Sequence, residues 1–310
     1  MKPLSLLSTL AHLLLASPLA SAALSYTVLS ATIDNKQLDP SEIKLERVPL
    51  GVGPRNGSTG STIPSAPPTS LTSSRKEGHA RRRADLDPRD GTHSTTSNWC
   101  GAEQHVPSAA GPVSWVHSIF SVPDLTHRPD YPRPQFAAAW VGIDGGRCRS
   151  ALVQAGVSVQ LYDDGYQFAW VWMQWWPDAA YNFVPFVVDP GNWLEINITA
   201  VNTTEAIIEV KNYNNGNVLL MTFKDGAPMC RAEGSWIMEA FYGSQGQVTL
   251  AKFSDVWFQQ CEVRTQNGQS FGIDGAEIVY MEQPKPGTVQ MENVCQAEEY
   301  DNANLRCYAV

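Results

Sequence analysis

The chain has 310 residues, 22 basic against 31 acidic, with a formal net charge of −9 at pH 7 and 43% hydrophobic residues. An acidic balance argues against nucleic-acid binding, and the apolar content can supply a sizeable core. Six cysteines, an even count without any C-x-x-C, suit disulfides in an exported protein rather than zinc or redox chemistry.

Residues 1–22, MKPLSLLSTLAHLLLASPLASA, combine one lysine, an apolar stretch and an A-x-A arrangement at Ala20 and Ala22. This predicts a secretory signal peptide cut after Ala22. As a membrane anchor the apolar run is too short and too interrupted, and no other segment approaches a spanning helix. Residues 23–83 read as a propeptide. LSYTVLSATID and EIKLERVPLGV within it predict strands. Residues 51–75 are a Gly/Pro/Ser/Thr linker with little to bury. Arg81, Arg82 and Arg83 read as a processing site rather than a nucleic-acid patch. Charge divides at the same place. Residues 1–83 hold 10 basic and 5 acidic side chains, and residues 84–310 hold 12 basic against 26 acidic, a net −14. A basic prosegment beside an acidic domain suggests an electrostatic clamp that loosens in acid.

From Ser97 onward short apolar runs alternate with turn residues. PVSWVHSIFSVP, FAAAWVGIDGG, SALVQAGVSVQLY, YQFAWVWMQWWP, WLEINITAV and SWIMEAF have strand composition. DPGN, YNNGN and TQNGQ have hairpin chemistry. No long helical period competes. Residues 84–310 are therefore predicted to form one all-β domain, a sandwich or a barrel. All six cysteines fall inside it, and sequence alone leaves fifteen pairings open. Asn197 and Asn202 head sequons and are candidate glycosylation sites.

Two polar residues intrude on apolar strands. In SWIMEAF, Glu239 shares a face with Ile237 and Phe241 and has no obvious partner. In SALVQAGV, Gln154 shares a face with Leu152 and Gly156. Each alone fits a core group satisfied by backbone. Together they suggest a cleft in which a desolvated glutamic acid exchanges protons and an amide orients water or meets an oxyanion. Phe168, Trp170, Trp172, Gln174 and Trp176 line one face of a third strand, either a heavy core face or an aromatic cleft wall. Other hydrolytic signatures are missing: no G-x-S-x-G and no H-E-x-x-H occur. The two IDG triplets, at Asp144 and Asp274, lack the following Thr or Ser of an aspartic-protease dyad.

Four segments carry a specific resemblance: SNWCGA (97–102), WVGIDGGRCRSALVQAG (140–156), WMQWWPD (172–178) and CRAEGSWIMEAF (230–241). From about Ser97 to its C-terminus the chain resembles the glutamic peptidases, or eqolisins, secreted acid endopeptidases. The resemblance implies an antiparallel β-sandwich of two large sheets, concanavalin- or lectin-like, with a catalytic pair in its concave cleft. It places the catalytic glutamate on Glu239, as general base and then general acid. It places the catalytic glutamine on Gln154, which positions the water and stabilises the oxyanion. Trp99, Trp140, Asp144, Trp172, Gln174 and Trp176 fall on substrate-binding or support positions. It also implies a Cys148–Cys230 disulfide, leaving Cys295 with Cys307 and Cys100 with Cys261.

Two departures stand out. Gln174 occupies a position that is usually Glu in the family, and Ser158 one that is often Asp. The implied activity is a pepstatin-insensitive acid endopeptidase without metal or cofactor. It is expected to be monomeric, to act on polypeptides and to be inhibited by its own propeptide, with no nucleic-acid or membrane partner. The rival readings are a carbohydrate-binding β-sandwich module and a catalytically weakened peptidase homologue. A glycosidase would want two carboxylates on one cleft, and Gln154 with Glu239 offers one.

Overall fold

The structure, a computed structural model, describes residues 23–48, 93–243 and 246–310. The expected signal peptide, the 51–75 linker and the 81–83 processing site lie outside those residues. Helix among the described residues is limited to two 3-10 turns, Pro40–Glu42 and Ser108–Ala110. The regular structure is otherwise strand, as the alternating pattern predicted.

Hydrogen bonding links the strands in two antiparallel runs. The first runs through Lys44–Val48, Ala180–Val184, Gln167–Trp176, Leu152–Leu161, Gln135–Asp144, Glu233–Glu239, Trp99–His105, Glu277–Pro284 and Met291–Asp301. The second runs through Lys36–Leu38, Ser25–Ile33, Val218–Lys224, Glu205–Asn212, Trp193–Ala200, Val113–Ser121 and Val256–Thr265. The last strand, Asn304–Ala309, pairs with both Met291–Asp301 and Val256–Thr265 and so joins the runs.

The runs pack on each other through the alternate side chains of each strand. The Trp236 indole donates to His117 O across the layers (2.9 Å). A Cβ at Gly234 would press on Val263 and Val116. Val141, Val153, Val171, Ile196, Met221 and Trp236 belong to this shared core. Their sequence neighbours point the other way and build a second apolar cluster from Trp99, Trp140, Leu152, Trp172, Ile237 and Phe241. Period-two alternation thus puts Glu239 and Gln154 on the second face. Trp140, Trp172, Trp175 and Trp236 are at most 1% exposed. Burial of a large apolar side chain contributes about 1.5–3 kcal/mol, so these tryptophans anchor both faces.

The two strands predicted in the expected prosegment form, but as outer strands of the sheet rather than as a separate unit. Ser25–Ile33 pairs with Val218–Lys224, and Lys44–Val48 pairs with Ala180–Val184. Asp34 and Asn35, both at positive φ (50° and 60°), make the tight turn between Ile33 and Lys36.

The expected cysteine pairing needs correction. Cys148 is bonded to Cys230, but Cys100 is bonded to Cys295, and Cys261 and Cys307 are free and buried. Elimination along the chain carried no geometry. The Cys100 and Cys295 Cα atoms lie 6.0 Å apart, within normal disulfide range. In the C-terminal hairpin Cys295 faces Ala309 and Cys307 faces Ala297. Cys307 also faces Val256. Cys261 lies five residues beyond Val256, so it does not stand opposite Cys307.

Candidate active site

Glu239 ends a central strand, opposite Trp99 on one side and Ala138 on the other. Pairing on both edges satisfies the strand's backbone hydrogen bonds, and Glu239 is 5% exposed. Its Oε2 accepts a hydrogen bond from Trp140 Nε1 (2.8 Å), and its Oε1 a longer one from Asn98 Nδ2 (3.5 Å). Burial pushes its pKa up to about 7, and the Trp140 indole and Asn98 amide pull the other way. Trp99 packs edge-on against Trp140, ring centroids 4.8 Å apart.

Gln154 lies on the next strand but one, opposite Gly142 and Gln174. It is 2% exposed. Its Nε2 donates to Gln174 Oε1 (2.8 Å), and Gln174 Nε2 donates to Asp178 O (2.8 Å). The Asp178 carbonyl can only accept, so this chain fixes which way both amides point. Gln154 Oε1 is left buried without a hydrogen-bond partner. Its second N–H is also free of that chain.

Glu239 and Gln154 share one face of the sheet, at registers four residues apart on the intervening strand, Ala138 and Gly142. Trp140 sits between those registers. Its room comes from Gly156 opposite, where a Cβ would meet Ala139 O at 2.3 Å and Trp140 Cβ at 2.5 Å. Ser158 lies opposite Ala138, in the row of Glu239, and accepts from Trp172 Nε1 (2.9 Å).

Asp144 is fully buried and holds backbone. Its oxygens accept from the N–H groups of Arg231 and Ala232 (2.8 Å each), at the start of the Glu239 strand. Burial raises its pKa to about 6 against the pull of those donors. The Cys148–Cys230 disulfide ties the same two segments. Asp144 clusters with Cys148 and Cys230, but their sulfurs are bonded to each other and no metal centre results. Asp274 is exposed, so the two IDG aspartates form no dyad.

The profile of the Peptidase A4 family matches residues 97–307. The chain belongs to the peptidase A4 family. The match spans Asn98, Trp99, Gln154 and Glu239 alike. The chain is 32% identical over 149 residues to Aspergillopepsin-2 of Aspergillus niger, an alignment covering 47% of this chain and 52% of the relative. It is 32% identical over 149 residues to Scytalidopepsin B of Scytalidium lignicola, covering 45% and 55%. The chain thus spans about half the length of the curated relatives it matches. Among solved structures it is similar to scytalido-glutamic peptidase bound to a transition state analog inhibitor. That likeness has a TM-score of 0.58 at 26% identity, over 69% of this chain and 98% of that one. Aspergilloglutamic peptidase from Aspergillus niger gives a TM-score of 0.52 at 27% identity, over 57% and 99%. Membership of the A4 family agrees with the resemblance carried by the four sequence segments, and the strand-built fold with the class they implied.

In this A4-family chain, the structure gathers Trp99, Trp140, Trp172, Gln174 and Trp176 on the face of Glu239 and Gln154. Asn98 went unassigned in sequence, although its place beside Trp99 in SNW was the available signal. Of the two sequons, Asn202 is exposed in a turn. Asn197 is half-buried in a strand, with its amide against Glu195 and Glu209.

Proposed function

We propose that this chain is an exported, pepstatin-insensitive glutamic endopeptidase, held latent by its prosegment and active in acid. The supporting observation is the pair itself: a buried carboxyl with a raised pKa, and a buried amide whose carbonyl oxygen has no protein partner. In this reading, opening the site to water relieves the burial that raises the Glu239 pKa, so the carboxyl ionises in acid. Gln154 Oε1 then accepts one hydrogen of a water, and the Glu239 carboxylate takes the other proton as that water attacks the scissile carbonyl. The second N–H of Gln154 donates to the oxyanion. Glu239 then returns the proton to the leaving nitrogen. A peptide lying over Trp140 would bridge the registers of the two side chains.

Both groups are closed to bulk water in the full-length chain, so substrate entry requires an opening. Removal of the prosegment is the proposed one. Among the described residues no helix is long and apolar enough to cross a membrane, which fits export of the product.

The test is protein digestion at acid pH, with pepstatin as control, by wild type, Glu239→Gln and Gln154→Ala. Loss of one oxyanion donor costs about 100- to 1000-fold. Each variant should fall at least that far while keeping its circular dichroism spectrum. Wild-type turnover in either folded variant, or glycan binding without proteolysis, overturns the reading.

A further inference from the structure

The face that carries Glu239 holds a second polar group at its other end. Glu103 lies opposite Ser235 on one side and Glu277 on the other, and His105 lies opposite Glu233. Glu233 is six residues from Glu239 on the same strand, roughly 20 Å away. The proposed peptidase chemistry uses none of these four residues.

Glu103 is 1% exposed, and neither of its carboxylate oxygens has a hydrogen-bond partner. Buried and without a hydrogen bond, it must either be protonated or meet a cation. One carboxylate oxygen each from Glu103 and Glu277, and a ring nitrogen of His105, all lie within 4.8 Å of one another. Metal–ligand bonds of about 2.0–2.2 Å put ligand atoms about 3–3.5 Å apart, so an ion would draw the three inward; His105 Nε2 and Glu277 Oε2 already stand at 3.1 Å.

The surroundings are those of a metal-binding histidine. His105 Nδ1 lies 2.8 Å from Glu233 Oε2, an ion-pair contact. The other oxygen of Glu233 is fixed by the N–H groups of Gly146 (2.6 Å) and Arg147 (2.9 Å). His105 Nε2 faces Glu277 Oε2 at 3.1 Å. One ring nitrogen thus meets an anchored carboxylate and the other faces candidate ligands, the arrangement that orients an imidazole on a metal. The 145–147 loop lies directly on the cluster: a Cβ at Gly146 would come within 2.0 Å of Glu103 Oε1. Arg147 reaches Glu277 only from outside, at 3.7 Å, with its side chain exposed.

We infer that Glu103, His105 and Glu277 bind one divalent transition-metal ion, with Glu233 orienting the imidazole. One imidazole and two carboxylates suit zinc or manganese better than calcium or magnesium. The ion would neutralise Glu103 and Glu277 and tie their two strands together, while Glu233 links the cluster to the 145–147 loop. Its role would be structural.

The test uses the purified full-length chain, stripped with a chelator and titrated with Zn²⁺ and with Mn²⁺ at neutral pH by calorimetry, with melting temperature read in parallel. One ion per chain and a raised melting temperature are expected. The isosteric Glu103→Gln should remove this uptake, and its metal-free melt checks that it folds. Glu233→Gln, which touches no ion, should weaken affinity about 10- to 100-fold. The inference is overturned by the absence of stoichiometric uptake, or by uptake unchanged in both variants. Uptake of Ca²⁺ or Mg²⁺ alone, indifferent to His105→Gln, overturns it as well.

Discussion

The Trp140 indole N–H donates a 2.8 Å hydrogen bond to Glu239 Oε2, so the carboxyl that burial pushes toward its neutral form keeps one strong donor for its ionised form. Two opposing influences set its pKa near 7, and each can be altered separately.

Trp140→Phe keeps an aromatic ring and removes the donor. A hydrogen bond to a charged group is worth about 1.5–3 kcal/mol, and 1.36 kcal/mol corresponds to about one pKa unit. The pKa of Glu239 should rise by one unit or more. Carboxyl titration by NMR in a Gln154→Ala background, which avoids self-digestion, checks this. An unchanged pKa would mean that Trp140 acts on Glu239 by packing alone.

Ser158→Asp and Gln174→Glu should differ. Ser158 shares the register row of Ala138 and Glu239, whereas Gln174 faces Gln154. A carboxylate at 158 should raise the pKa of Glu239 by like-charge repulsion. One at 174 should act on Gln154 instead. Protonated in acid, Glu at 174 can still donate to Asp178 O and should behave like wild type. Ionised, it leaves that carbonyl without its donor and should lower stability by about 1–3 kcal/mol at neutral pH. Titration of Glu239 in both variants, with urea melts at pH 4 and 7, separates these effects. Equal shifts of Glu239 would refute the register argument.

Stability should fall as pH rises. Glu239 (about 7 folded against 4.5) and Asp144 (about 6 against 3.8) are both raised by burial. Between the unfolded and folded pKa values the native state binds more protons than the unfolded state, so the slope of stability with pH is negative. The contribution of Glu239 is complete below about pH 4.5 and lost by about pH 7, a change of a few kcal/mol. Urea unfolding from pH 4 to 7, comparing Gln154→Ala with Gln154→Ala/Glu239→Gln, should show a shallower slope in the double variant. Parallel slopes would remove Glu239 from the account.

Thiol titration decides the cysteine assignment. Cys261 and Cys307 are buried and free, so the folded chain should react slowly and the denatured, unreduced chain should show two thiols. No thiols after denaturation would mean a third disulfide and a different hairpin register.

By itself the sequence determined the strand-built class, because period-two patterning and Asn-Gly turns are local signals. Gly216 and Gly268 take the positive φ that the YNNGN and TQNGQ hairpins require, whereas DPGN turns at Gly191 without making the expected hairpin, because the strands it joins pair with other partners. It also singled out Glu239 and Gln154, since a polar residue on an apolar strand face is visible without coordinates. Only tertiary structure decided what those residues meet. Whether Gln174 faces Gln154, and whether Ser158 shares a row with Glu239, depends on strand register, a relation between segments distant in the chain. The same holds for Cys100 and Cys295, separated by 195 residues. It holds too for Glu103, His105, Glu233 and Glu277, drawn from three strands. In sequence each is an ordinary polar residue, and pairing makes them one buried cluster because neighbouring strands place them opposite one another on the same face.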